Sequence, residues 1–223
     1  ALNIAQQSAV KAGASVLIFS LEMSQEQLGQ RLIAMQARVE SEKLKKGTLD
    51  LKDWDRINFA LNELNNTKIV IDDTPGISIM EMRNKCRRLK AEQGLDLIVV
   101  DYLQLMTFDG RADSRQQEIS ALSRHLKLLA REMNCPVIVL SQLSRAPELR
   151  QDKRPMLSDL RESGSIEQDA DIVMFLYRDD YYNENTEKPG VCEINIAKHR
   201  SGPTDRIDLT WVARYTKFSD KAL

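Results

Sequence analysis

This 223-residue chain has few cysteines, no long apolar run and no excess of one charge. Its three cysteines, Cys86, Cys135 and Cys192, are far apart and lack CxxC spacing. This pattern argues against a disulfide framework or a metal cluster and favours reduced, packed thiols. No run approaches the length of a membrane span, and the first residues show no basic-then-apolar signal pattern. We therefore expect a soluble, cytoplasmic protein without a membrane partner.

The charge balance also limits the partners that the chain can have. Lysine and arginine total 32 and aspartate and glutamate total 33, which gives a formal net charge of −1. No overall basic charge indicates nucleic-acid binding, so any such contact must be local. With 42% hydrophobic residues, the chain can bury a sizeable core without disulfides. The sequence predicts one α/β domain that spans residues 1–223.

A short apolar run that ends in an acid is the clearest functional signal. Residues 97–100 read LIVV and lead directly into Asp101. Such a run is typical of a strand buried on both faces, whose carboxyl end presents a side chain where α/β sheets bind ligands. In P-loop NTPases an aspartate at this position holds the Mg²⁺ that bridges the β- and γ-phosphates. The alternative is a structural carboxylate that caps the following turn.

Two further strands are predicted to end in polar residues. The run PVIVL (136–140) leads into Gln142, and SVLIFS (15–20) leads into Glu22. If these strands lie parallel to the strand of Asp101, the three side chains meet at one edge of the sheet. A glutamine there can hydrogen-bond a γ-phosphate or the attacking water, and a second carboxylate can act as general base. Ordinary loop polarity is the alternative for both residues.

Helical and strand patterns alternate along the rest of the chain. Capping boxes at Ser24 with Gln27 and at Ser78 with Glu81 predict two helix starts. The basic run from Arg83 to Lys90 is interpreted as a solvated helix face. We expect helices near 1–12, 24–37, 53–64, 78–93 and 116–133, strands at 69–71, 172–177, 192–197 and 207–212, a polar stretch at 40–53 and an exposed loop region at 143–161. The strand at 172–177 is predicted to be buried.

Five strings together resemble the C-terminal motor domain of bacterial DnaB-type replicative helicases. They are FSLEMS (19–24), VDYLQLM (100–106), LSQLSR (140–145), SDLRESGSIEQDAD (158–171) and KHRSGP (198–203). The resemblance covers essentially the whole chain, in order. It implies a RecA-like P-loop NTPase core with a mostly parallel central sheet flanked by helices. It also implies a ring hexamer that hydrolyses NTP at subunit interfaces and unwinds duplex DNA while moving on single-stranded DNA.

The resemblance assigns a role to individual residues. Glu22 is similar to the catalytic glutamate, Asp101 to the metal carboxylate and Gln142 to the γ-phosphate sensor. Arg200, with Lys198, is similar to the finger that enters the neighbouring subunit's site. An arginine suits that role because its rigid fork neutralises charge on the transferred phosphoryl group. Without the resemblance, Lys198 and Arg200 would be interpreted as part of an ordinary charged hairpin.

The loop around Arg161, Glu162 and Gly164 resembles the family's DNA-binding loop, which faces the central channel. We expect Arg161 to contact phosphates without reading bases, and Glu162 to brace Arg161 or to lie close to the DNA backbone through neighbouring amides. The nearby Arg150, Lys153 and Arg154 are expected to follow phosphates as well. The implied ligands and partners are ATP with Mg²⁺, single-stranded DNA, other copies of the chain, primase and a helicase loader.

One family motif is missing, because the chain contains no GxxxxGK[ST]. Residues 1–5 match the helix that follows this phosphate-binding loop, so we expect the chain to be a fragment that lacks the loop, its strand and an N-terminal domain. Such a fragment is expected to be inactive in NTP hydrolysis by itself. Two other hypotheses remain: a RecA-like recombination, repair or clock-type ATPase, and a non-catalytic module that binds DNA or partner subunits.

Overall fold

Two four-stranded sheets and seven α-helices make up the described part of the chain. The computed structural model describes residues 1–163 and 165–221, and for residues 161–163 it describes the backbone only. The helices are α1 (Leu2–Ala12), α2 (Gln25–Ala37), α3 (Ser41–Lys46), α4 (Leu51–Asn65), α5 (Ile79–Gln93), α6 (Arg115–Met133) and α7 (Ile166–Asp169). In the residues described, no helix is both long and apolar enough to cross a membrane.

The first sheet is fully parallel and has the order β2-β1-β3-β4. Its strands are β1 (Ser15–Ser20), β2 (Lys68–Asp72), β3 (Leu97–Asp101) and β4 (Val137–Val139). Strands β1 and β3 are buried along nearly their whole length, as their unbroken apolar runs predict. The family-derived prediction of an α/β domain with a parallel sheet flanked by helices is confirmed.

Alternate residues of β1 and β3 face two different helical layers. On one face, Phe19 and Val100 pack against α5 and α6, and Leu122 of α6 belongs to the same cluster. On the other face, Val16 and Val99 pack with α1 and with the start of α2. The amphipathic pattern predicted for α6 is confirmed, since Ile119, Leu122, Leu126 and Leu129 are all buried. The parallel sheet is therefore covered on both faces.

Local capping sets the starts of three helices. The predicted capping boxes of α2 and α5 form, and a third box joins Asp50 with Asp53 at the start of α4. The predicted end of α1 is also confirmed, because Gly13 adopts the left-handed conformation with φ 66°. The stretch at 40–53 differs from the expectation, since residues 41–46 form the short helix α3.

The second sheet is antiparallel and has the order β5-β6-β7-β8. Its strands are β5 (Ile172–Tyr177), β6 (Val191–His199), β7 (Asp205–Val212) and β8 (Lys217–Asp220). Strand β8 lies near α1, because the Phe218 N–H donates to Asn3 Oδ1 at 3.0 Å. Although β5 looks apolar throughout, it is buried on one face only: Ile172, Met174 and Leu176 are 47%, 44% and 54% exposed. The prediction of a fully buried strand at 172–177 is therefore wrong.

The segment between the sheets is more ordered than its composition indicates. It contains 3₁₀ turns at Ala146–Leu149 and Leu157–Ser163, and it buries Pro147, Asp159 and Leu160. Leu160 packs with Val173 and Phe175 of β5. The expectation of an exposed loop region at 143–161 is therefore wrong at these positions, because an apolar contact with the second sheet holds part of the segment.

Candidate active site

The carboxyl ends of β1, β3 and β4 lie side by side, as the sequence predicts. Ser20 is paired with Asp101, and the Leu21 N–H donates to the Asp101 carbonyl at 2.7 Å. Val100 is paired with Val139, and the Leu140 N–H donates to the Val100 carbonyl at 2.9 Å. Glu22, Asp101 and Gln142 therefore extend from the same edge of the parallel sheet.

The carboxylates of Asp101 and Glu22 influence each other electrostatically. Partial burial raises the pKa of Asp101, and the negative charge of Glu22 raises it further. The positive charge of Arg31 acts in the opposite direction. Glu22 itself is exposed to solvent. The site thus holds one half-buried carboxylate close to a second one that faces water.

This pair of acids suits a divalent cation. Among the residues that the structure describes, no group donates a hydrogen bond to the Asp101 carboxylate, which leaves its oxygens free for a ligand. The same residues contain no cluster of three or more His, Cys, Asp or Glu side chains that could hold a metal. Magnesium commonly binds one or two carboxylates and completes its shell with water and phosphate oxygens. Asp101 fits that mode of binding.

The backbone of Gln142 is held at the sheet edge by the side chain of Gln104. Gln104 Oε1 accepts the Gln142 N–H at 3.1 Å, and Gln104 Nε2 donates to the Gln142 carbonyl at 3.2 Å. Gln104 Nε2 also donates to Ser141 Oγ at 3.0 Å, and the Gln104 carbonyl accepts from Arg115 of α6. Gln104 therefore connects the ends of β3 and β4 and leaves the exposed Gln142 side chain free. Gln104 lies within the VDYLQLM string, and this was the sequence signal that could have marked it as a functional residue.

The amino end of α1 lies beside Asp101. Ala1 lies close to the Asp101 carboxylate. Ala1 is the N-cap of α1 and provides no side-chain hydrogen bond to the first turn. The first N–H groups of an α-helix lack intrahelical partners and attract anions. The edge therefore places two carboxylates beside the start of α1.

Lys198 and Arg200 lie elsewhere, near residues 167–171. Lys198 Nζ donates to the carbonyls of Glu167, Gln168 and Ala170, at 2.5, 3.4 and 2.8 Å. The Arg200 guanidinium contacts Asp171 and the Gln168 carbonyl. Within the described part of the chain, neither side chain contacts Glu22, Asp101 or Gln142. The structure thus brings together three of the predicted catalytic and metal residues and keeps the two hairpin cations apart from them.

The predicted DNA-binding residues lie outside the description. The side chains of Arg161 and Glu162, and the whole of Gly164, are not among the described groups. Two neighbouring arginines are described, and both are occupied. Arg150 forms a bidentate pair with the buried Asp159, at 3.0 and 2.7 Å. Arg150 is therefore engaged within its own chain, and its contact with phosphates stays a prediction.

Arg154 is held in a similar way. Its guanidinium donates to both carboxylate oxygens of Glu193 on β6, at 2.8 and 2.9 Å, and it lies over the Tyr177 ring. Lys153 Nζ lies 4.9 Å from the centre of the Tyr182 ring. The carboxylate of Glu193 is buried and holds the Arg154 guanidinium, so a phosphate role for Arg154 would compete with this pair and stays a prediction. The Arg154–Glu193 pair fastens the segment before Arg161 to the second sheet, whereas the Arg150–Asp159 pair lies within the segment.

The sequence is similar to helicase sequences over its whole length. The family model for the DnaB-like helicase C-terminal domain matches residues 1–220. The chain is 56% identical to the replicative DNA helicase DnaC of Bacillus subtilis (strain 168) over 219 residues, which are 98% of this chain and 48% of that protein. It is 55% identical to the replicative DNA helicase DnaB of Geobacillus stearothermophilus over the same shares. The chain thus spans about half the length of these curated relatives.

Solved structures agree with this relationship. A DnaB-like replicative helicase, studied with its interactions with primase, matches with a TM-score of 0.95 and 42% identity over 99% of this chain and 54% of that one. The RadB recombinase matches with a TM-score of 0.55 at 18% identity, over 99% of this chain and 84% of that one, which shows a shared fold only. On the strength of the full-length family match, the chain belongs to the DnaB-like helicase C-terminal domain family.

Proposed function

We propose that this chain is the motor domain of a replicative DNA helicase and contributes half of a composite NTP-hydrolysis site. The observation that carries the proposal is the convergence of Glu22, Asp101 and Gln142 at one edge of the parallel sheet. An adjacent acid pair and an amide are the groups that water activation, metal binding and γ-phosphate recognition require. Family membership supports the same activity.

Each residue at the edge has its own task in this proposal. Asp101 would hold Mg²⁺, which when bound neutralises charge between the β- and γ-phosphates of ATP. Glu22 is exposed and therefore able to accept a proton from the attacking water. The Gln142 side chain donates to a γ-phosphate oxygen, while Gln104 keeps the backbone of Gln142 in place. Residues 1–223 contain no GxxxxGK[ST] phosphate-binding loop, so this edge supplies only part of such a site.

Arg200 acts on the site of a neighbouring subunit, together with Lys198. Its separation from Glu22 and Asp101 within one chain supports a role in trans, and its side chain is 52% exposed. An arginine finger stabilises charge that develops in the transition state and is worth roughly 10³ to 10⁵ in rate. A shared site of this kind requires a ring or filament, and we propose a ring homohexamer.

Single-stranded DNA passes through the ring in this proposal and contacts the loop of Arg161, Glu162 and Gly164. The ion pair Arg154–Glu193 supports this placement, because it fastens the preceding segment to the second sheet. Primase and a helicase loader are the proposed protein partners. One solved relative is described with its interactions with primase.

Mixed rings of two inactive variants test the shared site. Full-length Arg200→Ala should bind nucleotide almost normally and hydrolyse it slowly, because a finger acts mainly on the transition state. Full-length Glu22→Ala should also be inactive. Mixing them creates some interfaces with an intact Glu22 on one side and an intact Arg200 on the other, so NTPase activity should return.

The mixing experiment separates this proposal from its alternatives. Two Arg200→Ala preparations mixed together are the control and should remain inactive. Subunit exchange verified by labelling, without recovered turnover at any ratio, would refute the shared site. Wild-type full-length protein without any NTPase activity would favour a non-catalytic module. Turnover without strand separation on a forked duplex would favour a recombination or repair ATPase.

A further inference from the structure

Asp171 connects the proposed finger to the rest of its own chain. The Arg200 backbone N–H donates to the Asp171 carbonyl at 2.8 Å, and Arg200 Nη1 contacts Asp171 Oδ1 at 3.2 Å. Arg200 Nη2 donates to the Gln168 carbonyl at 3.3 Å. Because both terminal nitrogens are held, the exposed guanidinium group has a defined orientation. Asp171 is the last residue of the SDLRESGSIEQDAD string, which assigns it no role of its own.

Asp171 is in turn fixed to the core. It directly precedes β5, and its carboxylate pairs with Lys127 of α6. The hydrogen bond from Lys127 lowers the pKa of Asp171, and the charges of Lys127, Arg200 and Lys198 act in the same direction. Lys127 lies between Leu126 and Leu129, both buried against the parallel sheet. Asp171 is therefore a charged group whose position depends on α6, which packs against the parallel sheet.

A β-bulge turns the hairpin cations towards this region. Val173 is paired with Lys198 and Met174 with Ile196, so Ala197 is an extra residue in β6. A bulge increases the local twist of a strand and redirects the side chains after it. Lys198 then reaches the carbonyls of residues 167–170, and Arg200 reaches Asp171. The base of the hairpin is thus attached to the segment that follows the proposed DNA-binding loop.

The contact between Arg200 and Asp171 is suited to orienting a side chain without trapping it. Both side chains are about half exposed, at 52% and 54%. Exposed ion pairs are weak, because water screens the charges and ordering two side chains costs entropy. The finger can therefore leave Asp171 for a phosphate at little cost. Asp171 also shares its charge with Lys127, which weakens its hold on Arg200 further.

We propose that Asp171 is a positioning residue for Arg200. It holds the guanidinium at the base of the hairpin, next to the segment that follows the DNA-binding loop. The finger is thereby oriented before it enters the neighbouring site. This inference rests on the proposed function of Arg200. It adds a residue that touches neither nucleotide nor DNA but sets how often the finger is in its productive orientation.

Full-length Asp171→Asn tests this role, because the amide keeps the shape and removes the charge. We expect kcat for DNA-stimulated NTP hydrolysis to fall roughly three- to fivefold, as the loss of one exposed ion pair predicts. The KM for NTP and the affinity for single-stranded DNA should stay within about twofold, since neither ligand touches Asp171. Asp171→Glu should recover part of the lost kcat. Asp205→Asn is the matched control, because Asp205 is an exposed acid at the other end of the same hairpin.

A double-mutant cycle with Arg200→Ala distinguishes positioning from a general structural effect. If Asp171 acts through Arg200, the double variant should be no slower than Arg200→Ala alone. An unchanged kcat in Asp171→Asn, or a further loss of kcat when it is added to Arg200→Ala, would overturn the inference. Wild-type turnover in Arg200→Ala would instead refute the proposed function itself.

Discussion

Glu193 is the residue at which several basic side chains of the second sheet meet. Its buried carboxylate accepts both hydrogen bonds of the Arg154 fork, and Lys188 and Arg206 lie within 3.3 and 3.5 Å. The hydrogen bonds from Arg154 lower the pKa of Glu193 to about 2, from an ordinary value of 4.5. The surrounding structure therefore strongly favours the charged form of Glu193.

The first prediction concerns the stability that Glu193 provides. Because its pKa is lower in the folded state, its contribution is complete above about pH 5 and is lost as the pH falls towards 2. Glu193→Gln should destabilise the protein at pH 7 by roughly 2–3 kcal/mol, and the difference from wild type should shrink as the pH falls from 5. Urea unfolding at several pH values measures this. Glu184→Gln is the exposed control, and an equal effect of both variants at pH 7 would contradict the prediction.

Arg161 is the residue through which the proposed DNA contact can be tested. Arg161→Ala in the full-length protein should weaken single-stranded DNA binding equally for different sequences. It should lower the slope of log K against log salt by roughly one unit, as the loss of one phosphate contact predicts. Basal NTP hydrolysis should largely survive. Arg88→Ala, on the exposed face of α5, is the control. Unchanged DNA affinity with collapsed basal turnover would assign the loop to the hydrolysis site instead.

At the scale of single elements, α6 links the two proposed centres. Near its start, Arg115 donates to the Gln104 carbonyl beside the strand edge of Gln142. Three turns later, Lys127 pairs with Asp171 at the base of the finger hairpin. Between these contacts, one side of the helix packs against the parallel sheet through Ile119, Leu122 and Leu126. Helix α6 therefore contacts both the proposed hydrolysis edge and the base of the proposed finger.

Two leucines of α6 provide a matched test of this packing. Leu122 is fully buried, whereas Leu128 is 46% exposed. Leu122→Ala should reduce the free energy of unfolding by about 2–5 kcal/mol, because it removes apolar contacts and leaves a cavity. Leu128→Ala should change it by less than about 1 kcal/mol. Equal losses in denaturant unfolding would mean that the face of α6 against the sheet has been assigned wrongly.

For the whole molecule, the missing phosphate-binding motif sets the expected activity. The 223-residue chain contains no GxxxxGK[ST], whose amides and lysine bind the triphosphate. We expect no significant NTPase activity from this chain alone, and recovery when it is joined to preceding residues that end in GK[ST]. A phosphate-release assay with and without single-stranded DNA measures both proteins. Robust, DNA-stimulated turnover by the 223-residue chain would refute this account of phosphate binding.

Features that depend on neighbouring residues could be predicted from the sequence alone. The capping boxes at Ser24 and Ser78, the apolar face of α6 and the polar ends of β1, β3 and β4 are all encoded within a few positions. Hydrogen bonds between residues three or four apart and the periodicity of side chains decide such features. The family strings added the roles of Glu22, Asp101, Gln142, Lys198 and Arg200, which remain predictions.

The tertiary structure alone decided how distant parts of the chain meet. Arg154 pairs with Glu193 across 39 residues and Lys127 with Asp171 across 44, so no local pattern relates the partners. For the same reason, Arg150 and Arg154 looked free for phosphate, and β5 looked buried on both faces. An apolar run shows that a strand can be buried, but the order of the strands and the layers packed on them determine which faces are covered. The positions of Gln104 and Asp171 follow from that arrangement.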